Sequence, residues 1–530
     1  MRLMKRFLLP FLVLIAAPAA YAEKTFVYCS EASPSTFNPQ MAEDGPTFNA
    51  SSQMLYNRLV EFEEGGTKTV PALAEKWDIS KDGKAYTFHL RKGVKFHTTD
   101  AFKPTRDFNA DDVLFSFERA LKKDHPYHSV NGGKYLYFLG MELDQIVKNV
   151  EKVDDYKVKF TLTRPEAPFI ADLAMSFAVI LSKEYGDQLQ KAGTMAKIDI
   201  EPVGTGPFVL KRYVKDNSIR YEAHPSYWAG RAKLDKVVFA ITPDANVRFQ
   251  KLKAGECHLV AEPAPQDLKN ISSHPKLKLM SEPGANVGYL ALNTQKKPFD
   301  NVEVRRAIAM ALNRENYLQA VYQGTATSAR NPIPATVWGS NPDIKEVEYN
   351  PKKAKELLKK AGFPNGFETE LWTLPVARPY NPNGKKMGEL MQADLAKIGI
   401  KAKLVTYDWP TYLAKGRAGE HQMIQLGWTT DNGDPDNFMG TLLSCAAVKS
   451  GSNMARWCDK KYDELIVKAK VVTDIAARSR QYFKAQETFA KELPWILLAH
   501  ATVFRGMSKN VEGYKINPIG TEDFYPLDLK

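Results

Sequence analysis

Between Asn350 and Gly427 the apolar residues switch repeatedly between two periods, and this alternation restricts the fold more than any other feature of the chain. Asn350 and Pro351 open a helix in which Ala354, Leu357, Leu358 and Ala361 share a face, and Gly362 closes it. A strand near residues 367–374 follows, then a helix carrying Met387, Leu390, Met391, Leu395 and Ile398, with a stop at Gly399. A strand near 400–406, a short helix after Trp409 and Pro410, and a strand near 422–427 complete the series. From the first of these strands the order is β-α-β-α-β. Such crossovers make parallel strands, so the loops leaving the first and last strand open at one edge of one sheet. In open α/β sheets, ligands collect at that edge. The two loops are 375–383, which contains Arg378, and 428–438, which contains Asp431.

The first third of the chain reads differently. The turn signal Lys81-Asp82-Gly83-Lys84 precedes Tyr86, Phe88 and Leu90 alternating with polar residues, a strand pattern. Asn109 is placed to cap a helix, with Asp112 at its third position and Val113, Phe117 and Ala120 on one face. A second alternation, Val158, Phe160 and Leu162, follows Asp154-Asp155. Strands and helices mixed without repeats predict an α/β or α+β lobe.

Arg2, Lys5 and Arg6 precede an apolar run from Phe7 to Ala20 and the small-residue site Ala20-Tyr21-Ala22, which reads as a cleaved secretory leader over residues 1–22. That run is too short to span a membrane, and no later run reaches its length, so no stable membrane insertion is expected. Cys29 follows Phe26-Val27-Tyr28 rather than small residues, against a lipid anchor. The 508 residues left are more than one core usually serves, which predicts at least two lobes. A net charge of +12 raises nucleic acid or a membrane surface as partners, but the lysines are scattered in pairs such as Lys352-Lys353 and Lys359-Lys360 on polar helix faces. Solvated faces are the simpler reading, and no nucleic-acid partner is expected. Cys29, Cys257, Cys445 and Cys458 suit two disulfides in an oxidising compartment; of three connectivities, closing the short Cys445 to Cys458 loop leaves Cys29 with Cys257.

An arginine and an aspartate on neighbouring loops could simply pair with each other. Held apart, they would face a zwitterion, the guanidinium gripping a carboxylate and the carboxylate accepting from an ammonium. A dipeptide separates its charged ends by roughly 6 to 7 Å, so fixing both ends would select chain length. A longer peptide would strand one charge in a closed cavity, at a cost of several kcal/mol. Trp428 and Tyr380 flank the pair and could serve as flat walls or as ordinary core aromatics.

The stretches Thr25-Phe26-Val27-Tyr28-Cys29-Ser30-Glu31, Leu55-Tyr56-Asn57-Arg58-Leu59-Val60-Glu61, Gly204-Thr205-Gly206-Pro207-Phe208 and Trp428 through Asn437 resemble the periplasmic dipeptide-binding proteins of solute-binding family 5. Ala74 through the alternating strand to Val113 does too, and the resemblance covers the mature chain. It implies a two-lobed, periplasmic binding protein-like α/β fold (type II, cluster C-like) with an extra subdomain in the first lobe. Mapped here, the first lobe is 23–55, 204–283 and 502–530, its extra subdomain 56–203, and the second lobe 284–501. The resemblance further implies that Asp431 binds the peptide ammonium and Arg378, in Arg378-Pro379-Tyr380-Asn381-Pro382, its carboxylate, and that the disulfides are Cys29 with Cys257 and Cys445 with Cys458. The function implied is capture of dipeptides in the Gram-negative periplasm for the permease subunits of an inner-membrane ABC importer, by a monomer without a cofactor. One departure stands out: where small hydroxyl residues are expected beside the cleft, this chain has Glu43 and Asp44 before Gly45. They are either exposed rim charges or a preference for cationic side chains, and Gly45 and Glu43 join the candidate ligand-binding residues.

Three other readings compete with this one. An extracytoplasmic peptidase would also hold peptide ends, yet there is no His-Glu-x-x-His, Gly-x-Ser-x-Gly or Walker loop, and the Ser-x-x-Lys at Ser273 lacks companion motifs. An enzyme is therefore not expected. A metal site fails as well, since Pro126 separates His125 from His128 and the loop from Asp431 has Gly433 and Pro435 where calcium needs oxygen ligands. The third rival keeps the fold but binds glutathione, haem, nickel, or tri- and oligopeptides.

Overall fold

The computed structural model describes residues 23–530, so the leader expected over residues 1–22 lies outside the described residues. Strand β1 (Thr25–Ser30) precedes helix α1 (Gly45–Leu55). Strands β2 (Ala74–Ile79), β3 (Ala85–Leu90), β4 (Val147–Asp154) and β5 (Lys157–Leu162) form a separate antiparallel sheet in the order β2-β3-β5-β4. The two period-two runs become register partners, with Tyr86 opposite Phe160 and Phe88 opposite Val158. Their apolar faces are buried together, and Phe117 of helix α2 (Ala110–Leu121) meets the Phe160 ring edge-on at 4.9 Å. Asn109 and Asp112 form the expected reciprocal cap, and Arg106 holds the buried Asp112 through two bonds of 2.7 and 2.8 Å.

The chain then adds β6 (Phe208–Val214), β7 (Ser218–Ala223), β8 (Lys236–Ile241), β9 (Leu259–Val260) and β10 (Leu277–Pro283). Strand β1 runs parallel between β8 and β9. Next come β11 (Asn286–Leu292), β12 (Ala326–Ser328), α3 (Pro351–Lys360), β13 (Glu368–Trp372), α4 (Gly384–Lys397), β14 (Lys401–Val405), α5 (Trp409–Ala418), β15 (Met423–Thr429), α6 (Asp436–Leu443) and β16 (Trp495–Ser508). The predicted β-α-β-α-β series is thus present, with β13 parallel to both β14 and β15. Side-chain caps from Asn350, Asn383 and Asp408 start its helices, and Gly362, Gly399 and Gly419 adopt positive φ just past their ends.

The two crossover helices cover opposite faces of the sheet. Met387, Met391 and Leu395 of α4 join Ala354 and Leu358 of α3 in one core, whereas Trp409, Tyr412 and Leu413 of α5 enter another. Strand β11 is buried along its whole length and feeds both: Val287, Tyr289 and Ala291 point one way, Leu290 and Leu292 the other. A strand covered on both faces loses the apolar/polar alternation. Each such large side chain contributes about 1.5–3 kcal/mol on burial. Lys352, Lys353, Lys359 and Lys360 lie on the exposed face of α3.

One sheet runs through the molecule in the order β14-β13-β15-β11-β16-β9-β1-β8-β7-β6. Strand β16 joins its halves: residues up to Ala501 pair with β11 and β12, and those from Thr502 pair with β10 and, farther on, β9. The chain crosses once more between Pro283 and Asn286. The protein is therefore α/β and two-lobed, one lobe on each half of the sheet, with the four-stranded sheet added to the first. Both disulfides, Cys29–Cys257 and Cys445–Cys458, are formed. Among the described residues no helix is long and apolar enough to cross a membrane.

Candidate functional site

Arg378 lies on the loop leaving β13, in a tight turn closed by two bonds of 3.0 Å between Arg378 and Asn381, each N–H donating to the other's carbonyl. The turn is held down through Tyr380, whose carbonyl accepts from the Tyr322 hydroxyl at 2.8 Å. The Tyr380 ring crosses the sheet where Gly288 of β11 faces Gly427 of β15. A Cβ at Gly427 would sit 2.2 Å from the ring and one at Gly288 2.6 Å from the Tyr380 carbonyl, so this paired absence of side chains makes the seat. The Arg378 guanidinium is buried and stacks over Trp409 at 5.4 Å. Its Nη1 donates to Glu31, just beyond β1, while Nη2 lies over Gly45 at the start of α1. Burial opposes its charge, but Glu31 beside it more than compensates and holds the group cationic.

Asp431 sits on the loop leaving β15, the neighbouring parallel strand. Asn437 of α6 braces this loop, its Oδ1 accepting from the Asp431 backbone and from Trp428 Nε1, both at 2.8 Å. The carboxylate accepts from the Tyr137 hydroxyl at 2.5 Å, a residue of the opposite lobe. Burial raises the Asp431 pKa to about 7, and nearby Glu43 adds to the rise while the bond from Tyr137 opposes it. No ion pair joins Arg378 to Asp431; each has another partner, so the mutual-pairing alternative is overturned.

Arg378, Asp431, Trp428, Tyr380, Gly45 and Glu43 line one cavity of about 750 Å³, including its solvent-open part. Arg417, Ser452, Leu413 and Met454 from the second lobe and Thr521 from the returning chain complete much of its wall. The exposed-rim reading of Glu43 and Asp44 is corrected. The Glu43 side chain is 3% exposed, bonded by Ser452 Oγ at 2.5 Å and paired with Arg417 at 3.4 Å. Asp44 is buried because it caps α1, accepting from the Thr47 N–H at 3.0 Å and from Ser35 Oγ at 2.9 Å. Both point inward because α1 runs into the core, its first turn anchored there by Pro46 and Phe48.

Residues 68–450 match the family described as bacterial extracellular solute-binding proteins, family 5 Middle. The chain belongs to this family. Among curated family 5 relatives, the dipeptide-binding protein of Escherichia coli (strain K12) is 52% identical, over 98% of this chain and 97% of its own length. Heme-binding protein A of Haemophilus influenzae is 49% identical over 96% and 93%. Among solved structures, the dipeptide-binding protein from Pseudoalteromonas sp. SM9913 in complex with Met-Leu superposes with a TM-score of 0.94, at 40% identity over 96% of this chain and 100% of that one.

Several site residues escaped the reading of this family 5 sequence. Glu31 follows a parallel strand on the edge where ligands gather, a signal that was available. Arg417 and Ser452 reach the cavity, and Tyr137 reaches Asp431, from distant segments that left no local pattern. Ser273, of the isolated Ser-x-x-Lys match, is exposed and donates to the Lys269 carbonyl at 2.9 Å. Among the described residues no group of three or more His, Cys, Asp or Glu side chains is arranged to hold a metal ion.

Proposed function

We propose that the protein captures dipeptides by both charged termini in the periplasm and delivers them to the permease subunits of an inner-membrane ABC importer. The observation that carries this reading is the placement of Arg378 and Asp431 on one cavity with no bond between them. Arg378 takes the carboxylate and Asp431 the ammonium, each gaining a charge-assisted bond in a water-poor space. Trp428 and Tyr380 wall the peptide, and the spare volume accommodates varied side chains with water. The first lobe comprises 23–55, 204–283 and 502–530, the extra subdomain 56–203, and the second lobe 284–501. Closure then turns on the two crossings at Pro283–Asn286 and Ala501–Thr502.

The protein acts as a monomer and performs no bond chemistry. Curated relatives named as binding dipeptides support the cargo. So does the solved complex with Met-Leu.

Calorimetry with Ala-Ala, its N-acetyl and C-amide forms, tri- and tetra-alanine, and glutathione, with a parallel absorbance titration of haem, tests this. Ala-Ala binding at micromolar Kd or tighter, with loss on blocking either end, is the expected outcome. Equal affinity for the blocked forms would remove the two-ended mechanism, and selective haem or glutathione binding would change the cargo.

A further inference from the structure

Resting on the dipeptide reading above, we infer that Glu43 makes this cavity select peptides carrying a cationic side chain at the first position. Three carboxylates line the cavity, those of Glu43, Asp44 and Asp431, against two guanidinium groups, those of Arg378 and Arg417. Arg378 is already neutralised by Glu31 outside the lining. A zwitterionic ligand adds no net charge and leaves this acidic excess uncompensated. A lysine or arginine side chain removes it.

Of the three carboxylates, Glu43 is the one with room to meet such a side chain, although Arg417 already pairs with it at 3.4 Å. Asp44 is committed to the α1 cap, and Asp431 is taken by the peptide ammonium. Glu43 accepts one bond on each oxygen, from Ser452 Oγ and, at a long 3.4 Å, from Arg417 Nη2. A carboxylate has about four acceptor sites, so a further donor fits without displacing either.

Glu43 also reaches toward the ammonium end of the cavity: Ser452, which bonds it, lies 3.7 Å from where a Cβ of Gly140 would sit, and Gly140 shares a short helix with the Tyr137 that bonds Asp431. That places it next to the first side chain of a peptide whose amino group sits on Asp431. Leu413, one helical turn before Arg417 on α5, and Met454, two residues beyond Ser452, offer apolar surface for the methylenes of a lysine whose tip reaches Glu43. Burying a carboxylate is costly, and this one is already buried in the protein, so an arriving ammonium gains a partner whose water has been removed beforehand.

The test is calorimetry of wild type and Glu43→Gln with Lys-Ala, Ala-Lys, Ala-Ala and Glu-Ala. Wild type should bind Lys-Ala about tenfold tighter than Ala-Ala, as a charge-assisted bond warrants. Glu43→Gln should abolish that margin, and a thermal melt followed by circular dichroism shows whether the variant is folded. Should the variant not fold, the wild-type ranking decides alone. Equal binding of Lys-Ala and Ala-Ala, a margin that survives in Glu43→Gln, or a preference for Glu-Ala through Arg417 would overturn the inference while leaving dipeptide capture intact. Failure of every dipeptide to bind would instead overturn the reading beneath it.

Discussion

Peptide affinity should fall steeply as the pH drops below 7, and Asp431 sets the slope. Its pKa is about 7, chiefly because burial disfavours the charged form. An ammonium bound against it stabilises the carboxylate and lowers that pKa. The complex therefore holds fewer protons than the free protein, and binding releases one wherever free Asp431 is protonated. At pH 7 about half the free protein has the ionised form, and at pH 5 about one part in a hundred. If the bound carboxylate stays ionised, affinity at pH 5 is about 100-fold lower than near pH 8, or roughly 2.7 kcal/mol. Above pH 8 the α-amino group of the ligand itself deprotonates, so the profile turns down again. Glu43 is also held above the usual carboxylate range by burial, and the Asp431→Asn variant separates the two. Calorimetry of Ala-Ala from pH 5 to 9, repeated in buffers of different ionisation heat, measures affinity and proton release together. A flat affinity between pH 5 and 7, or the same slope and proton release in Asp431→Asn, would refute the reasoning.

Gly45→Ala adds a Cβ 2.7 Å from Arg378 Nη2, and because the displaced atom ends a flexible side chain, dipeptide affinity should fall about tenfold with Tm little changed. Gly427→Ala drives a Cβ into the Tyr380 ring at 2.2 Å; chemical denaturation should show about 1–3 kcal/mol of lost stability, together with weaker binding. Lys470→Met strips the buried cation that pairs with Glu166 at 3.1 Å and Asp436 at 3.6 Å, and denaturation should register about 3–5 kcal/mol of destabilisation.

How far the sequence reaches is set by how local each cause is. The helices at 351–360 and 384–397 were legible because caps, glycine stops and a 3.6-residue apolar face all sit within a few residues of one another. The edge bearing Arg378 and Asp431 followed from the parallel direction of strands joined by helical crossovers and from the place where ligands gather in such sheets. Glu43 was misjudged as a possible rim charge because a carboxylate beside a glycine and a proline reads as a surface turn. Only the paths of α5 and of the segment at Ser452, more than 360 residues away, reveal the partners that bury it. Tyr380 illustrates the same limit: its seat depends on Gly288 and Gly427 being opposite one another, a register that no local pattern discloses.

Strand β16 carries a consequence for biogenesis. It lies between β11 and β9, yet it comes later in the chain than every other strand of that sheet. Until residues 495–508 emerge from the ribosome, each half lacks the partner that fills its innermost edge, and neither can complete its hydrogen-bonding ladder. A nascent chain so arranged stays short of its native state during synthesis, the condition a polypeptide needs if it is to be threaded through a translocation pore.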